Sequence, residues 1–219
     1  MLKTMNTDAA AAIAATRRAV GAPRHVRVRN GAPVQIRDVR PDDAKRFAGF
    51  VSRLSHASRG ERFGSGMGGA CSPAVLVDLV NVDGVRQVAF VATARMGLVD
   101  EVIGEARYSL GEDGEGATLT IVVADVWQGQ GLAGLLLDRL VEAARDAGLR
   151  RLYAEVPPSN HRMLRFMQRM GFVAGAHGAE RPVLRMERSV ALRQPPAPEP
   201  GPMEVVWRWL NNQFFQFGF

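Results

Sequence analysis

The segment that most narrows what this 219-residue chain can become is Gln128-Gly129-Gln130-Gly131-Leu132-Ala133, set between an apolar extended run and an amphipathic helix. From Leu132 to Ala147, the residues Leu135, Leu136, Leu140, Val141 and Ala144 recur at three-and-four spacing, and Gly148 stands where a helix C′ residue is expected. Residues 117–126 ahead of the turn read as a strand, and Leu152 to Val156 behind the helix read as another. Strand, crossover helix and strand make a right-handed parallel unit. A glycine turn opening a helix aims backbone N–H groups and the positive helix end at one spot, which is how an uncharged loop takes a pyrophosphate. Gly129 and Gly131 remove the Cβ atoms that would obstruct such an approach. The alternative for the same residues is an ordinary strand-to-helix turn.

The upstream pattern sets this βαβ unit on a meander. Val34 to Val39 alternates as a strand, and Arg40-Pro41-Asp42-Asp43 opens a helical pattern through Phe47, Phe50, Val51 and Leu54. A second helix is predicted from Ser72 as N-cap and Pro73 as first helical residue through Val75, Leu76, Leu79 and Val80, followed by a turn at Asp83-Gly84. Val88 to Thr93, Val102 to Leu110 and Ala117 to Val126 follow with connections short enough for antiparallel pairing. Beyond Pro157-Pro158, Ser159 caps a helix to Met170, Gly171 stops it, and Val183 to Val190 reads as a last strand. The expected fold is α/β in the α+β sense, a mixed sheet in which an antiparallel meander precedes a βαβ unit.

Composition assigns the remaining segments. The formal charge of +6 is concentrated in residues 1–33, where Lys3, Arg17, Arg18, Arg24, Arg27 and Arg29 face a single acid, Asp8. That segment is expected to be a disordered basic leader, and the body, lacking a basic stripe, offers no footprint for nucleic acid. Residues 34–190 form the expected domain, 191–202 a proline-rich linker, and 203–219 a tail carrying Trp207, Trp209, Phe214, Phe215, Phe217 and Phe219. So much aromatic surface calls for a contact, on the chain's own domain or with a partner or second copy, while the missing basic face disfavours a membrane surface. No run reaches the roughly 18 apolar residues of a spanning helix, and the single Cys71, following a glycine-rich stretch, fits a reducing, cytoplasmic setting. His25, His56, His161 and His177 show no metal-ligand spacing, so no metal is expected.

Gly129, Gly131 and Gly134 also satisfy the dinucleotide fingerprint, with Glu155 near the distance expected for a ribose-binding acid. Against an NAD(P)-binding oxidoreductase stand Asp125-Val126-Trp127-Gln128 between strand and first glycine, and a meander where a βαβ series belongs.

Gln128, Gly131 and Ala133 match the signature of the GCN5-related N-acetyltransferases, which runs Gln or Arg, two residues, Gly, one residue, then Gly or Ala. The resemblance extends from about Val34 to Arg188. With Leu54-Ser55-His56-Ala57-Ser58-Arg59 and Arg62-Phe63 it is similar to the acetyltransferase domain of bacterial protein-lysine acetyltransferases. It implies transfer of an acetyl group from acetyl-CoA to a primary amine, of a protein lysine or a small molecule. It further implies that strands 117–126 and 152–156 splay, that pantetheine lies between them on the backbone of Ile121, Val122 and Val123, and that Gln128, Gly129, Gln130, Gly131, Leu132 and Ala133 hold the pyrophosphate. Asn160, in Asn160-His161-Arg162-Met163-Leu164, matches the family's asparagine beside the cofactor; a helix-start asparagine is also a routine cap.

Two departures concern the chemistry. Where the lysine acetyltransferases carry a glutamate, taken as general base, this chain has Thr118. Where many small-molecule relatives carry a tyrosine acid, it has Met167, so no acid is assigned. Glu105, on the neighbouring strand, is the candidate substitute base; its alternative is a surface carboxylate near Arg107. Loss of the glutamate leaves a second functional reading, a non-catalytic acyl-CoA-binding regulatory module.

Overall fold

Strands that are apolar on both faces need cover on both sides, and this chain supplies it with helices. The computed structural model describes residues 22–63, 72–175 and 183–191. One eight-stranded sheet runs in the order β1-β2-β3-β4-β5-β6-β8-β7. The strands are β1 Arg24–Arg27, β2 Pro33–Asp38, β3 Gln87–Met96, β4 Val99–Leu110, β5 Gly116–Val123, β6 Arg151–Val156, β7 Val173–Ala174 and β8 Leu184–Ser189. Helices α1 Ala44–Arg53, α2 His56–Phe63 and α3 Pro73–Val80 precede β3; α4 Leu132–Asp146 joins β5 to β6, and α5 His161–Arg169 follows β6.

The helices divide between two faces. Phe47, Phe50, Val51, Leu54, Leu79 and Val80 pack on Ala89, Val91, Val102 and Val122. On the other face Leu132, Leu136, Leu137 and Leu140 of α4, with Met167 and Phe172, pack on Phe90, Ile103, Leu119, Ile121 and Val123. The first turn of α1 is fixed by a buried pair, because Arg37 donates to both Asp43 carboxylate oxygens at 2.6 and 2.7 Å. Among the described residues no helix is long and apolar enough to cross a membrane.

The mixed sheet expected from the sequence is present, with β2 to β5 antiparallel and β5–β6 parallel. Parallel pairing lasts only three steps, Gly116↔Arg151, Ala117↔Leu152 and Thr118↔Tyr153, and then stops although both strands continue. The two strands therefore part beyond Thr118. A series of parallel strands, which a doubly wound dinucleotide fold requires, is not formed: β5–β6 is the single parallel pair among the described strands.

Several elements differ from the sequence reading, among them β3 and β4, which run longer than expected as Gln87–Met96 and Val99–Leu110. The sheet starts inside the segment expected to be a disordered leader, since β1 pairs with β2 from Arg24↔Ile36 to Arg27↔Pro33. Its charges have partners: Arg24 pairs with Glu142 at 2.7 Å, and the Ala22 carbonyl accepts from Arg139 at 3.2 Å. β5 ends at Val123, and Asp125–Trp127 forms a short 3₁₀ turn. Asn160, not Ser159, caps α5. Helix α2 was not foreseen because it buries none of its residues and so shows no apolar stripe. Residues 1–21, the Gly64 to Cys71 stretch, His177, the linker from 192 and the aromatic tail lie outside the described residues.

Candidate functional site

The turn before α4 is built from its glycines. Gly129 has φ +78° and Gly131 φ +86°, the left-handed region where a Cβ is costly, and Gly131 is the N-cap of α4. A Cβ placed on either glycine would meet nothing within 4 Å, so the space over the turn is open. The first amides of α4 that find acceptors are those of Gly134 and Leu135, both to the Gly131 carbonyl at 3.1 and 3.3 Å. The N–H groups of Gly131, Leu132 and Ala133 have no acceptor among the described residues. Free amides, a positive helix end and open space are the requirements of an anion cradle.

The carbonyls of the turn are turned the other way. Arg29, between β1 and β2, donates its backbone N–H to the Gln130 carbonyl at 3.0 Å and its Nη1 to the Gly129 carbonyl at 3.2 Å. Arg29, which composition assigned with Arg24 and Arg27 to a disordered leader, thus braces the cradle. Val26 and Val28, alternating with those arginines, were the signal for β1. Replacing Gly131 by Val is expected to cost about 1–2 kcal/mol of stability through its φ. It should also weaken binding of a pyrophosphate-bearing ligand at the turn more than tenfold, about 1.4 kcal/mol or more, because the branched side chain would fill the open space; calorimetry beside a melting curve separates the two effects.

Gln128 does not point its side chain into that space. Its Nε2 donates to the Val123 carbonyl at 2.9 Å and to Ser58 Oγ at 3.3 Å, while its Oε1 accepts from Arg162 of α5. It ties the end of β5 to α2 and α5. Asp125 reinforces the tie, accepting from the Ser55 N–H, Ser55 Oγ and Ser58 Oγ, each at 2.8 Å. Burial alone would raise its carboxyl pKa; these hydrogen bonds hold it below the ordinary value. Asn160 Oδ1 accepts from the Met163 N–H at 2.9 Å and so serves as a cap. Ile121, Val122 and Val123 pair with Ala106, Glu105 and Gly104 of β4, and on the β6 side they have no strand partner.

On the sheet face under α1, α2 and α3 the chemistry differs from the sequence expectation. Glu105 is fully buried, and both its oxygens are engaged, by Arg62 of α2 at 3.2 Å and by Arg107. Desolvation pushes its carboxyl pKa up, but the two guanidinium charges and their hydrogen bonds outweigh this and hold it below the usual carboxylate value. A general base needs a free lone pair and a pKa near the working pH. Glu105, with both oxygens bonded to guanidinium groups and its pKa held low, fits that role poorly, and it is not a surface carboxylate. With Arg107 also bonded to the Leu79 carbonyl at 2.8 Å, it fastens α2 and α3 to β4. Thr118 is exposed on this face, opposite Ser109 of β4 and Tyr153 of β6. Met167 is buried in the core under α4. Among the described residues no three His, Cys, Asp or Glu side chains gather into a metal-binding group.

The acetyltransferase (GNAT) family profile matches residues 80–172, from the end of α3 through the meander, the cradle and α5. An acetyltransferase of Pseudomonas aeruginosa is 34% identical over 145 residues, spanning 66% of this chain and 77% of that protein. The chain belongs to the GNAT acetyltransferase family. Membership makes it an acyltransferase, and the fold agrees. The GNAT domain of S. lividans PAT superposes with a TM-score of 0.69 at 28% identity, covering 76% of this chain and 96% of that domain. Acetyltransferase Pat of Mycolicibacterium smegmatis is 31% identical over 154 residues, 69% of this chain but 44% of that protein. The chain thus resembles the GNAT part of the bacterial PAT proteins.

Proposed function

We propose that this chain transfers an acetyl group from acetyl-CoA to a primary amine, carried by a protein lysine or a small molecule. The observation that carries the proposal is the cradle at Gly131 to Ala133, with unpaired N–H groups under open space, reached from the end of β5, whose last residues are unpaired on the β6 side. Gly129 to Ala133 would take the pyrophosphate, and the unpaired edge of Ile121, Val122 and Val123 would take the pantetheine amides; Asn160 lies at the start of α5, next along the chain from β6. Acetyl-CoA, when bound, supplies an acyl group activated as a thioester. The protein's share is to hold a neutral amine against that thioester and exclude competing water.

Acetyl-CoA at about 100 times its Kd should stabilise the native state by about 2.7 kcal/mol and raise the melting temperature by several degrees, whereas NADPH should leave it unchanged. The reverse ranking would overturn the proposal. A second reading, the non-catalytic acyl-CoA-binding module, is favoured by Thr118 at the position where lysine acetyltransferases carry glutamate. Stabilisation by acetyl-CoA without thiol release on any amine of a broad panel would select it.

A further inference from the structure

Glu155 attracts notice in the sequence only as an acid spaced for a ribose, and the sheet gives it a different place. Leu152, Ala154 and Val156 of β6 are buried in the core under α4, so the alternation turns Tyr153 and Glu155 to the opposite face. Ala117, Leu119 and Ile121 of β5 lie in that same core, which turns Thr118 and Thr120 to the face of Glu155. Thr118 is in register with Tyr153. Glu155 is two residues further on, roughly 7 Å along the strand, past the last paired position and on the wall of the gap. Helices α1 to α3 cover this face over β2 to β5 but leave Glu155 exposed.

The surrounding charges leave it available. Arg185, its register partner on β8, lays its guanidinium over the Tyr153 ring at 3.8 Å. Glu187 is paired with Arg151, and Glu115 with Arg150 and Arg151. Asp113 is held by the N–H groups of Glu115 and Gly116. Glu105 is held by Arg62 and Arg107. Among these carboxylates Glu155 is the one that neither a cation nor an N–H group engages.

Resting on the acetyl-transfer reading, we propose that Glu155 receives the acceptor ammonium and takes its proton, in place of the carboxylate missing at Thr118. One ammonium proton passes to the Glu155 carboxylate, directly or through one water. The freed nitrogen lone pair forms the C–N bond to the acyl carbon while the C–S bond breaks, its electron pair leaving on the thiolate. A second nitrogen proton converts the thiolate to thiol, the amide keeps one, and Glu155 returns its proton to solvent.

The test uses the full chain, acetyl-CoA, and two nucleophiles: N-acetyl-lysine amide, charged at neutral pH, and hydroxylamine, already neutral there. Glu155→Gln should bind acetyl-CoA with unchanged Kd and melt like wild type. It should lose about 10²-fold or more in kcat on the lysine amide at neutral pH. The deficit should shrink as pH approaches the amine's own pKa, about 10.4, and the hydroxylamine rate should stay within twofold. Glu155→Asp should keep part of the lysine rate. An equal loss on both nucleophiles, or a deficit independent of pH, would mean a structural role and overturn the inference, as would an unchanged lysine rate. Wild type that binds acetyl-CoA but releases no thiol with any amine would defeat the acetyl-transfer reading itself, and the role of Glu155 with it.

Discussion

Glu105→Gln is expected to destabilise the native state by about 3–5 kcal/mol, because it removes one partner of a buried ionic group and leaves two guanidinium groups uncompensated. Arg62 and Arg107 are each about nine-tenths buried, with side-chain exposures of 10% and 12%, so water cannot replace the lost carboxylate cheaply. In a domain of this size the melting temperature should fall by roughly 6–20 °C. The pH dependence has a definite sign. The folded carboxyl lies below its unfolded value of about 4.3, so its contribution is fully present above that pH and is lost as pH falls through the lower folded pKa. The gap between wild type and variant should therefore be constant at neutral and alkaline pH and narrow in acid. Urea unfolding from neutral pH down to about 3 reads it directly. A variant that melts like wild type but turns over poorly would return Glu105 to the role of base.

Why the sequence misjudged Glu105 is physical. Arg107, two residues away on the same strand face, suggested a solvated surface pair, while the partner that completes the clamp, Arg62, is 43 residues distant. Helix α2, which carries Arg62, was illegible for a related reason. Its start is held by Asp125, 70 residues from Ser55, and a stability that comes from tertiary hydrogen bonds leaves no periodic apolar pattern. The βαβ unit was legible because both of its signals are local: the three-and-four spacing of α4, and glycines at positions whose φ excludes other residues. Net charge hid β1, since Arg24 and Arg29 look like a solvated run until Glu142 and the cradle carbonyls are seen to receive them. Glu155 was visible in the sequence, but its face and its place beyond the last β5–β6 pair depend on register, which composition does not carry.

Thr118→Glu, introduced into the Glu155→Gln chain, is expected to restore most of the lost lysine-amide turnover, a gain within the ~10²–10⁴-fold range of a positioned general base. The site allows it. Thr118 is exposed, shares the face of Glu155 and lies across β5–β6 from Tyr153, so a carboxylate there approaches the same gap from the opposite wall. It should also remain available, because the nearby Arg107 already donates to Glu105 and to the Leu79 carbonyl. In the wild-type background the same substitution should raise turnover less than about tenfold, since one proton acceptor suffices and a second adds little. The two positions should therefore be strongly non-additive, as expected of groups serving one proton. Initial rates for the four chains across neutral to alkaline pH, each after its acetyl-CoA affinity is measured, complete the cycle. Equal gains in both backgrounds would make the positions independent and remove Glu155 from the proton path. No gain in either would mean that a carboxylate at Thr118 does not reach the acceptor, and that the β5 wall takes no part in receiving the amine.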